Sequence, residues 1–153
     1  MTADNRTVRI LKKLFSLEVM AVQIYRTQVG AMVDDEERSI MVAAMENEEY
    51  HRQTLRSLLK ARGVAPSPGW PFFWLMGQTL GRTTSIFGRK TVLKADIIFE
   101  DKASREYAGF IKEGDFTDQE MVYISEFLED ERRHSANWRG LLKGSGLEVS
   151  GNE

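Results

Sequence analysis

The chain has no cysteine among its 153 residues. Disulfides, thiolate zinc sites, iron–sulfur clusters and rubredoxin-like centres are therefore excluded in this chain, and a reducing compartment fits. Proline is nearly as scarce. Pro66, Pro68 and Pro71 are the only three, and they fall in one stretch, which leaves room for long helices on either side. No apolar run approaches the roughly twenty residues of a membrane-spanning helix, and Met1-Thr2-Ala3-Asp4-Asn5-Arg6 has no apolar core of the signal-peptide kind. A cytoplasmic protein is expected. Neither sign of charge dominates: 21 basic against 23 acidic side chains, interleaved, give a net charge of −2. That balance argues against nucleic acid as a partner. With 42% hydrophobic residues the chain can bury a sizeable core as a single domain.

Histidine is the scarcity that points somewhere. The two in the chain, His51 and His134, each follow a glutamate by three positions, in Glu48-Glu49-Tyr50-His51 and Glu131-Arg132-Arg133-His134. On a helix such a pair shares one face, one turn apart, and can bind the same metal ion. Glu18 stands thirty residues before Glu48, and Glu100 thirty-one before Glu131. If each interval is a helical hairpin, its fold point is the midpoint. The first midpoint is Val33, just before Asp34-Asp35, a good helix start; the second is Asp115-Phe116, inside the turn-like Gly114-Asp115-Phe116-Thr117-Asp118. Each lone Glu then returns to the height of an E-x-x-H pair. One Glu from each of two helices and E-x-x-H from each of the other two is the ligand set of ferritin-like di-iron or di-manganese carboxylate bundles.

In chain order, the apolar spacing predicts a helix from about residue 4 to 31, with Glu18 in the middle of its apolar face and Tyr25 pointing the same way. Asp34 or Asp35 caps a second helix that runs to about Arg62 and ends at Gly63. Its inner stripe is Ile40, Ala44, Glu48, His51 and Leu55. Residues 64 to 88 read as a long apolar crossover: a short helix from 71 to about 80, then a turn from Gly81 to Gly88. The aromatic stretch 70–76 within it suits either packing or a ligand surface. A third helix follows from about Lys90 to Lys112, with Tyr107 seven residues after Glu100, as Tyr25 is after Glu18. Thr117, with Glu120 three residues on, opens the last helix in a capping-box pattern, and that helix fades at Gly144. The expectation is an all-α, antiparallel four-helix bundle of two hairpins over residues 1–144, with 145–153 a flexible tail. Tyr25 and Tyr107 are candidate catalytic residues, expected as core tyrosines whose hydroxyls bond near the site. Either E-x-x-H alone is matched by surface acids and ordinary core histidines. Four carboxylates buried together are not, because they repel unless cations sit among them.

On these residues the chain resembles the demethoxyubiquinone hydroxylases of the COQ7 type, from about Val8 to Lys143. Leu17-Glu18-Val19-Met20-Ala21-Val22-Gln23-Ile24-Tyr25 is similar to that family's first metal-binding helix, and Glu48/His51, Glu100 and Glu131/His134 complete its set. The connection Pro71 to Lys90, with Trp74, Gly77, Leu80-Gly81, Thr84 and Gly88, is similar to its apolar crossover. Glu106 departs from the histidine expected beside Tyr107. The resemblance implies two iron ions, with manganese as the alternative: Glu18, Glu48 and His51 on one, Glu100, Glu131 and His134 on the other, Glu48 and Glu131 bridging. It implies an oxidoreductase that activates O2 to hydroxylate a hydrophobic quinone-type ring, supplied by an external electron donor. It further implies peripheral contact with the inner face of a membrane through residues 70–80, and a homo-oligomer is expected. Rubrerythrin-like peroxide reduction and non-enzymatic iron binding or ferroxidase activity are the alternatives. Against the former, Ile97 and Ala103 stand where a rubrerythrin carries a further Glu.

Overall fold

The computed structural model describes residues 3–144, and within them every element is helical. Four long helices form the bundle: α1 (Ala3–Gln28), α2 (Asp35–Ala61), α4 (Arg89–Glu113) and α5 (Asp118–Gly144), with α3 (Trp70–Ile86) as the crossover. The tail expected at 145–153 lies outside the described residues.

Local chemistry sets the bends where the midpoints placed them. A 3-10 turn, Val29–Ala31, closes α1, and the Asp34 side chain accepts from the Glu37 N–H at 2.8 Å to start α2. At its other end α2 stops in a Schellman turn: Gly63 takes a left-handed φ of 69°, and the Val64 N–H donates to the Leu59 carbonyl at 2.9 Å. The second hairpin turns at Gly114, and α5 opens on the expected capping box. There the Thr117 N–H donates to Glu120 Oε2 at 2.9 Å and the Glu120 N–H to Thr117 Oγ1 at 3.3 Å.

The crossover differs from expectation. Helix α3 does not break at Gly81 but continues to Ile86, and only Gly88, with a φ of 84°, makes the turn into α4. The reason is packing. Gly77, Gly81 and Ser85 lie four apart on one stripe of α3, which runs parallel to α1 at backbone distance. A Cβ on Gly77 would overlap the Met20 carbonyl, and one on Gly81 would overlap Thr27 Oγ1 and the Ile24 carbonyl. Polar contacts fasten the same seam: Gln78 Nε2 donates to Gln23 Oε1 at 2.7 Å, and Ser85 Oγ to the Thr27 carbonyl at 3.1 Å. The inner stripe of α2 also needs one change, because Met41 is fully buried where Ile40 is only half-buried.

The core divides into two apolar clusters. One gathers Leu11, Leu14 and Phe15 of α1 with Leu55, Leu59, Tyr107, Ile124 and Phe127. The other gathers Met20, Ile24 and Tyr25 with Met41, Ala44, Val92, Leu93 and Trp138. On α2, α4 and α5 the glutamates and histidines singled out above fall between the two clusters in sequence, and on α1 Glu18 falls next to where the first cluster gives way to the second.

Candidate metal centre

Glu48 and His51 come from α2, Glu131 and His134 from α5, Glu18 from α1 and Glu100 from α4, and none is more than 3% exposed. The structure brings all six together as two overlapping groups: Glu18, Glu48, His51 and Glu131 in one, Glu48, Glu100, Glu131 and His134 in the other. Within each group, one donor atom per residue lies within 4.8 Å of the others. Glu48 and Glu131 belong to both. Each histidine turns Nδ1 inward: His51 Nδ1 is 3.4 Å from Glu48 and 3.5 Å from Glu131, and His134 Nδ1 is 2.9 Å from Glu48 and 3.5 Å from Glu100.

Buried polar atoms are nearly always hydrogen-bonded, and here a set of them is not. Both carboxylate oxygens of Glu48 and of Glu100, Glu131 Oε1 and the Nδ1 atoms of both histidines have no hydrogen-bond partner among the described residues. Their approaches to one another are crowded, not aligned for donation. Burial pushes the Glu18 and Glu131 carboxyls far above their ordinary value, with the neighbouring carboxylates adding to it, and pushes Glu100 up to about 8. Burial acts on Glu48 in the same direction, but His134 and His51 on either side hold it well below the ordinary range. Four carboxylates and two imidazoles converging without protein partners fit a pair of divalent cations, which accept oxygen and imidazole ligands and remove the mutual repulsion.

The His51 ring is not free to turn. His51 Nε2 lies 2.9 Å from Asp130 Oδ2, which also accepts from Asn47 Nδ2 at 3.1 Å, while Arg133 holds the other Asp130 oxygen at 2.6 Å. Phe127 stacks on the His51 ring at 4.0 Å between centroids. Asp130 therefore fixes which nitrogen faces the carboxylates, as carboxylates behind metal-bound histidines do. Sequence reading missed it: Glu129-Asp130-Glu131-Arg132-Arg133 is charged throughout, and nothing in such a run separates a buried acid from a solvated one. The tyrosines sit as expected beside the site, but each bonds across to the other hairpin. Tyr107 Oη donates to Glu18 Oε1, and Tyr25 Oη accepts from Trp138 Nε1 at 3.2 Å while its ring meets His134 edge-on at 6.4 Å.

Among solved structures, the chain is similar to a conserved hypothetical protein, rv2844, from Mycobacterium tuberculosis. The two are 14% identical, with a TM-score of 0.74 over 93% of this chain and 94% of that one, a likeness that concerns the fold alone. No curated protein matches. A family model does: that described as ubiquinone biosynthesis protein COQ7 matches residues 9–143, which hold all six residues of the centre, and this chain belongs to the COQ7 family.

Proposed function

We propose that this protein is a di-iron oxidoreductase that hydroxylates a hydrophobic, quinone-type ring. The observation that carries the reading is the pair of buried Glu/His groups sharing Glu48 and Glu131, in a chain of a family described by ubiquinone biosynthesis. Glu18, Glu48, His51 and Glu131 would hold one ion and Glu48, Glu100, Glu131 and His134 the other. Such a pair supplies O2 activation and the oxidising power for ring hydroxylation, with electrons from an external donor.

The chain's own part is to position and to exclude. Asp130 orients His51, and Tyr107 holds one oxygen of Glu18 so that the other faces His51 Nδ1, 4.0 Å away. The two apolar clusters lie above and below the six side chains and keep water from them. Substrate approach from a membrane is supported by α3, whose Phe72, Leu75, Trp74 and Trp70 are exposed, with Ile86 at its end and Phe87 just beyond. Among the described residues no helix is long and apolar enough to cross a bilayer, so this contact would be peripheral.

The test is metal content and O2 uptake of protein purified from iron-supplemented cells, with and without added quinone. About two irons per chain and quinone-dependent O2 uptake are expected, and Glu48→Ala with Glu131→Ala should abolish both. Unchanged metal content in that double variant would sink the reading; turnover of peroxide instead of O2 would move it to peroxide reduction.

A further inference from the structure

The near-neutral net charge conceals a segregation. From Tyr50 to Ala95 the sequence holds eight basic residues and no aspartate or glutamate, and the rest of the chain carries all 23 acids. A stretch of that length would hold roughly seven acids at the chain's own frequency. It covers the second half of α2, all of α3 and the start of α4. Of its eight cations, Arg62 and Arg89 bond carboxylates on other helices, and Arg52 bonds Glu49. Arg56, Lys60, Arg82, Lys90 and Lys94 are exposed and form no ion pair among the described residues.

The fold lays these cations along both sides of α3. Arg52, Arg56 and Lys60 recur every four residues on α2, and Lys90, Lys94, Ile98 and Lys102 do so on α4. Arg52 and Arg56 line one cavity with Trp70, and Arg52 and Arg26 line another with Trp70 and Trp74. On the other side, Ile98 and Lys102 line a cavity with Leu80 and Thr84. Between the two stripes, α3 turns Gly77, Gly81 and Ser85 to α1 and exposes Phe72, Leu75, Thr79, Arg82 and Ile86, spaced three and four apart. The acids lining these cavities are Glu49, held by Arg52, and the buried Asp96.

This pattern separates the candidate partners. A second copy would set unpaired cations against unpaired cations. A nucleic acid would leave Leu75, Leu80, Ile86 and Ile98 with nothing to stack on. A neutral bilayer would use the apolar stripe and leave the cations idle. An anionic bilayer uses all of it: apolar side chains at the acyl boundary, indoles at headgroup depth, cations on the lipid phosphates.

We propose that α3, with the basic stripes of α2 and α4 on either side, docks on an anionic phospholipid bilayer. Contact of α3 with a membrane belongs to the reading above; the requirement for anionic lipid is new and is carried by the charges.

The test is co-sedimentation of the full chain with vesicles of phosphatidylcholine alone and with a quarter phosphatidylglycerol, metal content being measured in the same preparation. Partitioning should be about 100-fold stronger on the anionic vesicles and mostly lost when salt is raised from about 0.05 to 0.5 M. Each unpaired cation near the surface contributes about fivefold. Arg56→Gln, Arg82→Gln and Lys94→Gln together should therefore remove most of the preference and leave binding to neutral vesicles unchanged. Equal partitioning of the unaltered protein would overturn the proposal, needs no variant to fold, and would leave the peripheral contact standing. An anionic preference that survives the triple variant would overturn it as well. So would a dimer, indifferent to vesicles, that Phe72→Ser with Leu75→Ser dissociates, since the face would then belong to a second copy. Anionic preference in a preparation that takes up no iron would uphold the docking and remove the hydroxylase reading.

Discussion

At the scale of single residues the centre is an exercise in fixing rings and carboxylates that would otherwise repel or rotate. Six of its members could be found by spacing alone, because E-x-x-H and a lone Glu thirty residues upstream are relations within a hairpin. Asp130 could not, since its relation to His51 crosses 79 positions and two helices. Yet its effect is specific. It accepts from His51 Nε2, which leaves Nδ1 as the nitrogen offered to the carboxylates. Asp130→Asn keeps the size of the side chain but loses the charge that steadies the tautomer. The expected result is metal affinity lower by about 10- to 100-fold with the helical fold intact. Competition titration against a chelator, beside circular dichroism, checks it. Unchanged affinity would reduce Asp130 to a partner of Arg133 and Asn47.

At the scale of elements, the four bundle helices were legible and the true extent of α3 was not. A hairpin announces itself by apolar period and by capping residues such as Asp34 and Thr117, all local signals. Glycine within a helix gives an ambiguous one, because it marks a break in one context and a close approach in another. Gly81 belongs to the second kind: α3 lies so near α1 that a methyl group there has no room. Gly109, within α4, is the opposite case, with nothing within 4 Å of where its Cβ would be. The same substitution should therefore change stability with opposite sign at the two sites. Gly81→Ala should destabilise by about 1–3 kcal/mol as α3 is pushed off α1, despite the gain in helix propensity. Gly109→Ala should stabilise by about 0.5–1 kcal/mol through that propensity alone. Urea denaturation of both variants measures the difference. An unaffected Gly81→Ala would mean that α3 does not sit on α1 as described, and a destabilised Gly109→Ala that the space beside that position of α4 is not open.

For the whole molecule, the question is what holds two hairpins together when the centre between them is made of like charges. Two arginines answer it, one at each end of the bundle. Arg62, at the end of α2, reaches Glu120 at the start of α5 through two bonds of 2.7 Å, and also Asp4 of α1. Arg89, at the start of α4, bonds Glu37 at the start of α2 through Nε at 2.8 Å and the Leu141 carbonyl of α5 at 3.1 Å. Each staple joins helices from both hairpins, and the partners are 58 and 52 residues apart in sequence. Separations of that size put them out of reach of any local pattern. Glu37 shows what the staple contributes. Its carboxyl is held below its ordinary 4.5 by the Arg89 hydrogen bonds, against the upward push of burial. A carboxyl depressed in the folded state stabilises the fold above its unfolded pKa, and the contribution is lost as pH falls through the folded value. Glu37→Gln should therefore cost about 1–3 kcal/mol at pH 7, since the side chain is 6% exposed and its charged hydrogen bonds with Arg89 are weakened. The difference should begin to shrink as pH falls below the unfolded carboxyl value of about 4.3, and the two proteins converge only as pH passes through the depressed folded value of Glu37. Chemical denaturation at a series of pH values from 3 to 7 reads this directly. A stability difference that stays constant across the series would show that the amide group's own hydrogen bonding, and not the loss of the ion pair, sets the cost at that end.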